Sequence, residues 1–102
     1  MAVISISENN FDKEVKRSEI PVLVDFYAAW CTPCRTMSKM LEDISEELSG
    51  RAKVVKVDVM SETELADEFH ILSVPTMMVF KNGEVTDTIV GATGKPQIMN
   101  IL

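Results

Sequence analysis

VLVDFYAAWCTPCR, residues 22–35, joins an apolar run to both cysteines of the chain, Cys31 and Cys34. Apart from Asp25, residues 22–27 are β-branched, apolar or aromatic with no clean polar alternation, which predicts a central strand covered on both faces. The next segment, residues 33–48, places Met37, Met40, Leu41, Ile44 and Leu48 on one helical stripe. Lys39, Glu42, Asp43, Glu46 and Glu47 cover the remainder, the pattern of an amphipathic helix. Pro33 fits its first turn and Gly50 its exit. The cysteines therefore sit where a buried strand hands over to the N-terminus of a helix.

The pattern continues outward. Residues 3–6 read as a short edge strand, and residues 9–17, with Phe11 and Val15 four apart, as a short amphipathic helix. KVVKVDV, residues 53–59, is a second internal strand. Ser61 and Glu64 form a capping-box pattern that announces a helix through Phe69, with Leu65, Ala66 and Phe69 inward. Pro75 precedes the apolar strand TMMVF, and Asn82-Gly83 marks a tight hairpin into residues 84–90. Pro96 opens a final helix that runs only to Leu102, leaving an end free to fray. The order β-α-β-α-β-α-β-β-α implies an α/β fold, a mixed sheet flanked by helices on both faces.

At 102 residues the chain fits one domain, residues 1–102. With 46% hydrophobic and 25% charged residues it has a core of ordinary richness and needs no staple. A net charge of −6, with Lys and Arg scattered singly, offers no basic stripe for nucleic acid and no polybasic membrane patch. The start MAVISISENNFDKEV has no basic region followed by an apolar one, so the cytoplasm is the expected compartment. No apolar run is long enough to span a bilayer.

Three readings of the cysteine pair compete. A structural zinc site needs four ligands, and with two cysteines and the single His70, only an intermolecular site would serve. His70 follows Phe69 at a helix end, where a solvated role is expected. A structural disulfide is rare in the cytosol, and closing so small a loop removes little unfolded-state entropy. A redox pair fits the position. Unpaired N–H groups and the helix dipole favour a thiolate at Cys31, and Arg35 adds positive charge. Residues three apart on a helical turn lie about 5–6 Å apart, within disulfide reach.

Asp25 interrupts the apolar strand between Val24 and Phe26. It is either buried or turned to water at the strand end; the surrounding run favours burial. Desolvation would then raise its pKa and let it accept a proton near neutral pH. Lys56 is either its counter-charge or a lysine pointing outward at a strand edge. Met37, Met40, Met77 and Met78 read as core filler.

VLVDFYAAWCTPCR, VKVD, SVPTMMVFKNGE and VGA together resemble the thioredoxin family over nearly the whole chain. The resemblance implies the thioredoxin fold and a protein-disulfide reductase. In it Cys31 matches the exposed attacking cysteine and Cys34 the buried resolving one. Asp25 matches the buried aspartate, Lys56 its companion lysine, and Pro75 a cis-proline facing the disulfide. Trp30, Thr32, Pro33, Val59, Ser73, Val74, Gly91 and Ala92 match the active-site loop and the rim where protein substrates dock. Phe26, Gly83 and Pro33 match fold-supporting positions. The redox centre would be the Cys31–Cys34 pair itself, with no other cofactor and no metal. A separate thioredoxin reductase and protein disulfides would be the partners of a monomer. Thr32 stands where glycine is commonest, Arg35 where lysine is usual, and Tyr27 where a second tryptophan is common. The alternatives are an oxidant or isomerase with a shifted potential, or a docking subunit whose redox state is incidental.

Overall fold

The computed structural model describes residues 3–102; Met1 and Ala2, which begin the stretch read above for a signal, lie outside the described residues. Along the chain run β1 (Ile4–Ser5), a π-type helical segment (Asp12–Lys16), β2 (Val22–Tyr27), α1 (Thr32–Glu47), β3 (Lys53–Asp58), α2 (Thr63–Glu68), β4 (Thr76–Lys81), β5 (Glu84–Val90) and α3 (Lys95–Ile101). Among the described residues, five strands form one sheet in the order β1-β3-β2-β4-β5. β1, β3 and β2 are parallel; β4 and β5 run antiparallel to their neighbours. This is the mixed sheet that alternation followed by a hairpin requires.

β2 lies at the centre, and successive side chains of a strand point to opposite faces. Val22, Val24 and Phe26 enter one core with Val55, Val57, Leu65 and Phe80. Leu23 enters the other, with Met37, Leu41 and Ile44 of α1 and Ile98 of α3. The chain's four phenylalanines all meet in the first core. Phe69 lies 5.4 Å from Phe11 and from Phe80 and 6.1 Å from Phe26, in tilted and edge-on arrangements that suit the ring quadrupoles. The methionines read as filler behave so: Met37, Met77 and Met78 are buried and Met40 half-buried.

Several local expectations are corrected. The first strand shrinks to Ile4–Ser5, both exposed, although the Ile6 N–H still donates to the Lys56 carbonyl. The helix expected over residues 9–17 begins later, because Ser7 and Asn10 close a turn in which the Ser7 N–H donates to Asn10 Oδ1 at 2.8 Å. The segment then winds with i→i+5 bonding, Arg17 N–H to Asp12 O, while Phe11 and Val15 remain its buried side. No capping box forms at α2. Ser61 Oγ bonds to Asp58, and the Glu64 N–H donates instead to Glu8 Oε2, while the Glu8 N–H donates to Glu62 Oε1. A distant stretch of chain thus satisfies the free N–H that a local serine was expected to meet. The C-terminal residues do not splay: Ile101 and Leu102 pack against the second core, and Lys95 pairs with Glu47 of α1.

Asn82 and Gly83 both take positive φ, 55° and 82°, the primed turn expected from their sequence. A Cβ on Gly83 would lie 3.0 Å from the Lys16 carbonyl oxygen, whereas one on Gly50, also at positive φ, would meet nothing within 4 Å. Gly50→Ala therefore carries only the left-handed backbone cost, on the order of 1–2 kcal/mol. Gly83→Ala adds a clash with backbone that has little room to move. Urea midpoints should fall for both variants, and further for Gly83→Ala.

Candidate functional site

The end of β2 and the start of α1 are joined by a turn in which the Cys31 N–H donates to the Ala28 carbonyl at 3.1 Å. Cys31 is the residue that caps α1: its Sγ accepts the Cys34 N–H at 3.2 Å. Sulfur thus holds the place usually taken by a Ser or Asp oxygen. Pro33 lies in the first turn, where its missing N–H is no loss. No carboxylate occupies that turn, so nothing there opposes negative charge on the sulfur. Cys31 and Cys34 are joined by a disulfide across a Cα separation of 5.3 Å.

The exposed Cys31 and buried Cys34 implied by the resemblance are not seen in this oxidised pair. Both are nearly closed off, at 4% and 5% exposure, because the disulfide packs with Ala28 against Tyr27, Val59 and Val74. What separates them is their surroundings. Cys31 caps the helix, while Cys34 lines a cavity of about 230 Å³ with Asp25, Tyr27, Lys56, Arg35 and Ser38.

Asp25 reaches that cavity by strand alternation, on the same face of β2 as Leu23 and beneath the first turns of α1. It is buried, and its Oδ1 has no hydrogen-bond partner. Burial pushes its pKa up to about 7, with Lys56 opposing part of the rise. Lys56 is the register partner of Asp25 on β3, an internal strand, so the strand-edge alternative is set aside. Its Nζ lies 5.6 Å from the centroid of the Tyr27 ring. Arg35 is tied by Nη1 to the Ala29 carbonyl at 2.7 Å.

The Val74–Pro75 peptide bond is cis, as the resemblance implied. Its loop is fixed twice: Thr76 Oγ1 donates to the Ser73 carbonyl at 2.7 Å, and the Gly91 N–H to the Pro75 carbonyl at 2.8 Å. The expected rim divides around the disulfide. Trp30, Val59, Ser73 and Val74 line one depression together with Ile71 and Leu72. Thr32, Pro33 and Ala92 line another, floored in part by Met37 and Met40. Gly91 lines neither depression; its N–H is the one donated to the Pro75 carbonyl. His70 stands apart, exposed at the end of α2 with φ of 56°.

Sequence reasoning missed Ile71 and Leu72 as rim residues and Tyr27 and Ser38 as cavity walls. Tyr27 was findable, since a residue two beyond Asp25 on a strand shares its face. Leu72, 96% exposed, was findable only as an apolar residue in a loop beside the Ser-Val-Pro segment.

A disulfide bridging the first turn of a helix, capped by its own sulfur and backed by a raised carboxylic acid, defines a thiol-disulfide oxidoreductase. The thioredoxin family's sequence model matches residues 2–102. Among curated proteins, the chain is 41% identical over 96 residues to thioredoxin of Rickettsia felis, covering 94% of this chain and 91% of that one. It is 42% identical over 98 residues to thioredoxin 1 of Synechococcus elongatus, covering 96% and 92%. It is 41% identical over 102 residues to thioredoxin of Porphyra purpurea, covering 100% and 95%. The chain belongs to the thioredoxin family, and its activity is that of a protein-disulfide oxidoreductase. Among the described residues no three His, Cys, Asp or Glu side chains cluster to hold a metal, and no helix is long and apolar enough to cross a membrane.

The raised pKa of Asp25 makes stability depend on pH. Between about pH 4 and 7 the folded state holds a proton that the unfolded chain releases, so stability falls as pH rises through that window. Above it the penalty persists in full; below it both states are protonated and the penalty is absent. The gap between 3.8 and about 7 corresponds to a ceiling on the order of 4 kcal/mol. Asp25→Ala should therefore raise the urea midpoint at pH 8, and the gain should shrink steadily as the pH is lowered towards 4.

Proposed function

We propose that the chain reduces protein disulfides, with Cys31 as the attacking thiolate and Cys34 as the resolving thiol. The observation that carries this is the Cys31 sulfur at the N-cap of α1, where free N–H groups and the helix dipole favour negative charge. The Cys31 thiolate attacks one substrate sulfur; a mixed disulfide forms, and the other substrate sulfur leaves and takes a proton. Cys34 then loses its proton to Asp25. Their common cavity has room for water to carry it, since a water occupies about 30 Å³ of liquid volume. The Cys34 thiolate attacks the Cys31 sulfur, expels the second substrate thiolate and closes the Cys31–Cys34 bond. Two electrons have passed to the substrate.

Lys56 acts as counter-charge to Asp25. The two depressions beside the disulfide form the docking rim, with Ile71 and Leu72 added to Trp30, Val59, Ser73 and Val74 on one side, and Thr32, Pro33 and Ala92 on the other; Gly91 holds the Pro75 loop between them. Pro75 presents the loop that faces the bound segment. Residues 1–102 work as one thioredoxin domain and as a monomer, in the cytoplasm, without a cofactor beyond the cysteine pair. A separate thioredoxin reductase returns the two electrons; proteins carrying accessible disulfides consume them.

Cys34→Ser should accumulate mixed disulfides with protein substrates, visible as adducts on non-reducing gels, and Cys31→Ser should give none. Adducts on both variants, or retained dithiol-dependent reduction by both, would overturn the assignment. At the rim, Leu72→Glu should raise KM for a protein disulfide by about tenfold with little change in kcat, the signature of lost apolar burial common to ground and transition states.

A further inference from the structure

We propose that Tyr27 is a positioning residue, whose ring holds the Lys56 ammonium at a fixed distance from Asp25 and so sets how readily that carboxyl takes up a proton. The proposal rests on the reading of Asp25 as the acceptor of the Cys34 proton.

The placement follows from register. Asp25 and Tyr27 are two apart on β2, and their partners on parallel β3 are Lys56 and Asp58. All four side chains therefore leave the same face of the sheet, the one that α1 covers. Three of them, Asp25, Tyr27 and Lys56, wall the cavity on the sheet side; Cys34 and Arg35 wall it from α1.

A lysine at such a place has two simpler options. It could swing on its flexible stem into water, where an ammonium is strongly hydrated. It could close a contact ion pair with a carboxylate. Neither occurs. Asp25 Oδ1 lacks any hydrogen-bond partner, and among the described residues Lys56 forms no ion pair with Asp25 or Asp58. Its Nζ instead lies 5.6 Å from the Tyr27 ring centroid, within the range at which a ring face attracts a cation.

The other charged groups around the cavity are committed elsewhere. Asp58 accepts the Met60 N–H at 2.9 Å and the Ser61 hydroxyl at 3.4 Å. Arg35 is bound to the Ala29 carbonyl. Burial first, then Asp58 and Asp25, pushes the Tyr27 hydroxyl's pKa above its ordinary value, so the ring stays a neutral phenol as neutral pH is crossed. Among the described residues, Lys56 is then the charge beside Asp25 that no hydrogen bond or ion pair fixes. In contact with Asp25 it would hold the carboxylate ionised and poor as a base; released to water it would leave desolvation unopposed and the proton held too firmly. The ring keeps it between those extremes.

The test is a ¹³C NMR titration of the Asp25 carboxyl in the reduced chain of residues 1–102. It compares the unchanged chain with Tyr27→Phe, Tyr27→Leu, Tyr27→Met, Lys56→Met and the Tyr27→Leu/Lys56→Met double variant. Tyr27→Phe keeps the ring and should leave the midpoint in place. Tyr27→Leu should raise it by about 0.3–0.5 pH unit. Tyr27→Met should do the same, serving where the leucine variant folds poorly, and Lys56→Met should raise it further. In the Lys56→Met background, removing the ring should have no additional effect. An unmoved midpoint in Tyr27→Leu and Tyr27→Met overturns the proposal. So does an equal rise in Tyr27→Phe, or a rise that persists without Lys56. The pH profile of mixed-disulfide resolution is measured on the same proteins. If the carboxyl shifts in the Lys56-dependent way but the profile does not follow, the clamp stands and the role of Asp25 as proton acceptor falls.

Discussion

A strand buried on both faces leaves a polar residue nowhere to turn, and Asp25 in the middle of β2 is held under that constraint. Its neighbours Val24 and Phe26 are drawn into one core, which forces the carboxyl into the other, under α1. The same strand, on running out, delivers Cys31 to the N-cap of α1 and Cys34 to the wall of the Asp25 cavity. Apolar packing along the sheet thus sets the distance between this carboxyl and the sulfur. The energetic conflict is local: a carboxyl that would rather be in water is kept out of it by the burial of its neighbours. The conflict is also useful, since only a carboxyl relieved of its charge preference can exchange a proton near neutrality.

The cap of α1 carries a second economy. A helix start needs an acceptor for its free N–H groups, and serine, threonine or aspartate normally provides it. Here the acceptor is the sulfur that undergoes chemistry, so structural and chemical needs fall on one atom. The surrounding turns are held by ties that do not involve it, such as Thr76 to Ser73, Gly91 to Pro75 and Arg35 to Ala29. The wall around the sulfurs therefore keeps its shape by bonds that the redox step neither makes nor breaks.

The parts legible in the sequence were those governed by periodicity and by short-range chemistry. The alternating elements, the two-faced burial of β2, the stripe of α1 and the Asn82-Gly83 turn all follow from rules acting within a few residues. The resemblance added the cis bond before Pro75, which no local signal announces. The misses share a different cause. The α2 cap is supplied by Glu8, more than fifty positions away in sequence, so the local Ser61–Glu64 pattern pointed to a bond that was never made. The late start of the first helical segment reflects the Ser7–Asn10 turn closed just before it. Equal burial of the two cysteines comes from Tyr27, Val59 and Val74, which pack over the pair, the last two from segments distant in sequence. The sequence of β3 alone does not say whether it is an edge, and the sheet order, which sets the place of Lys56, depends on pairings with distant strands.

The aromatic residues are distributed unevenly across the sheet. All four phenylalanines gather in the core opposite α1, whereas the chain's single tryptophan and single tyrosine, Trp30 and Tyr27, both stand at the site. Phenylalanine absorbs weakly at the wavelengths where indole and phenol dominate. Light absorbed and emitted in the near ultraviolet therefore comes from the neighbourhood of the sulfurs and hardly at all from the packed interior. An optical signal from this chain describes its working surface, and loss of the core has to be followed by a probe of the backbone.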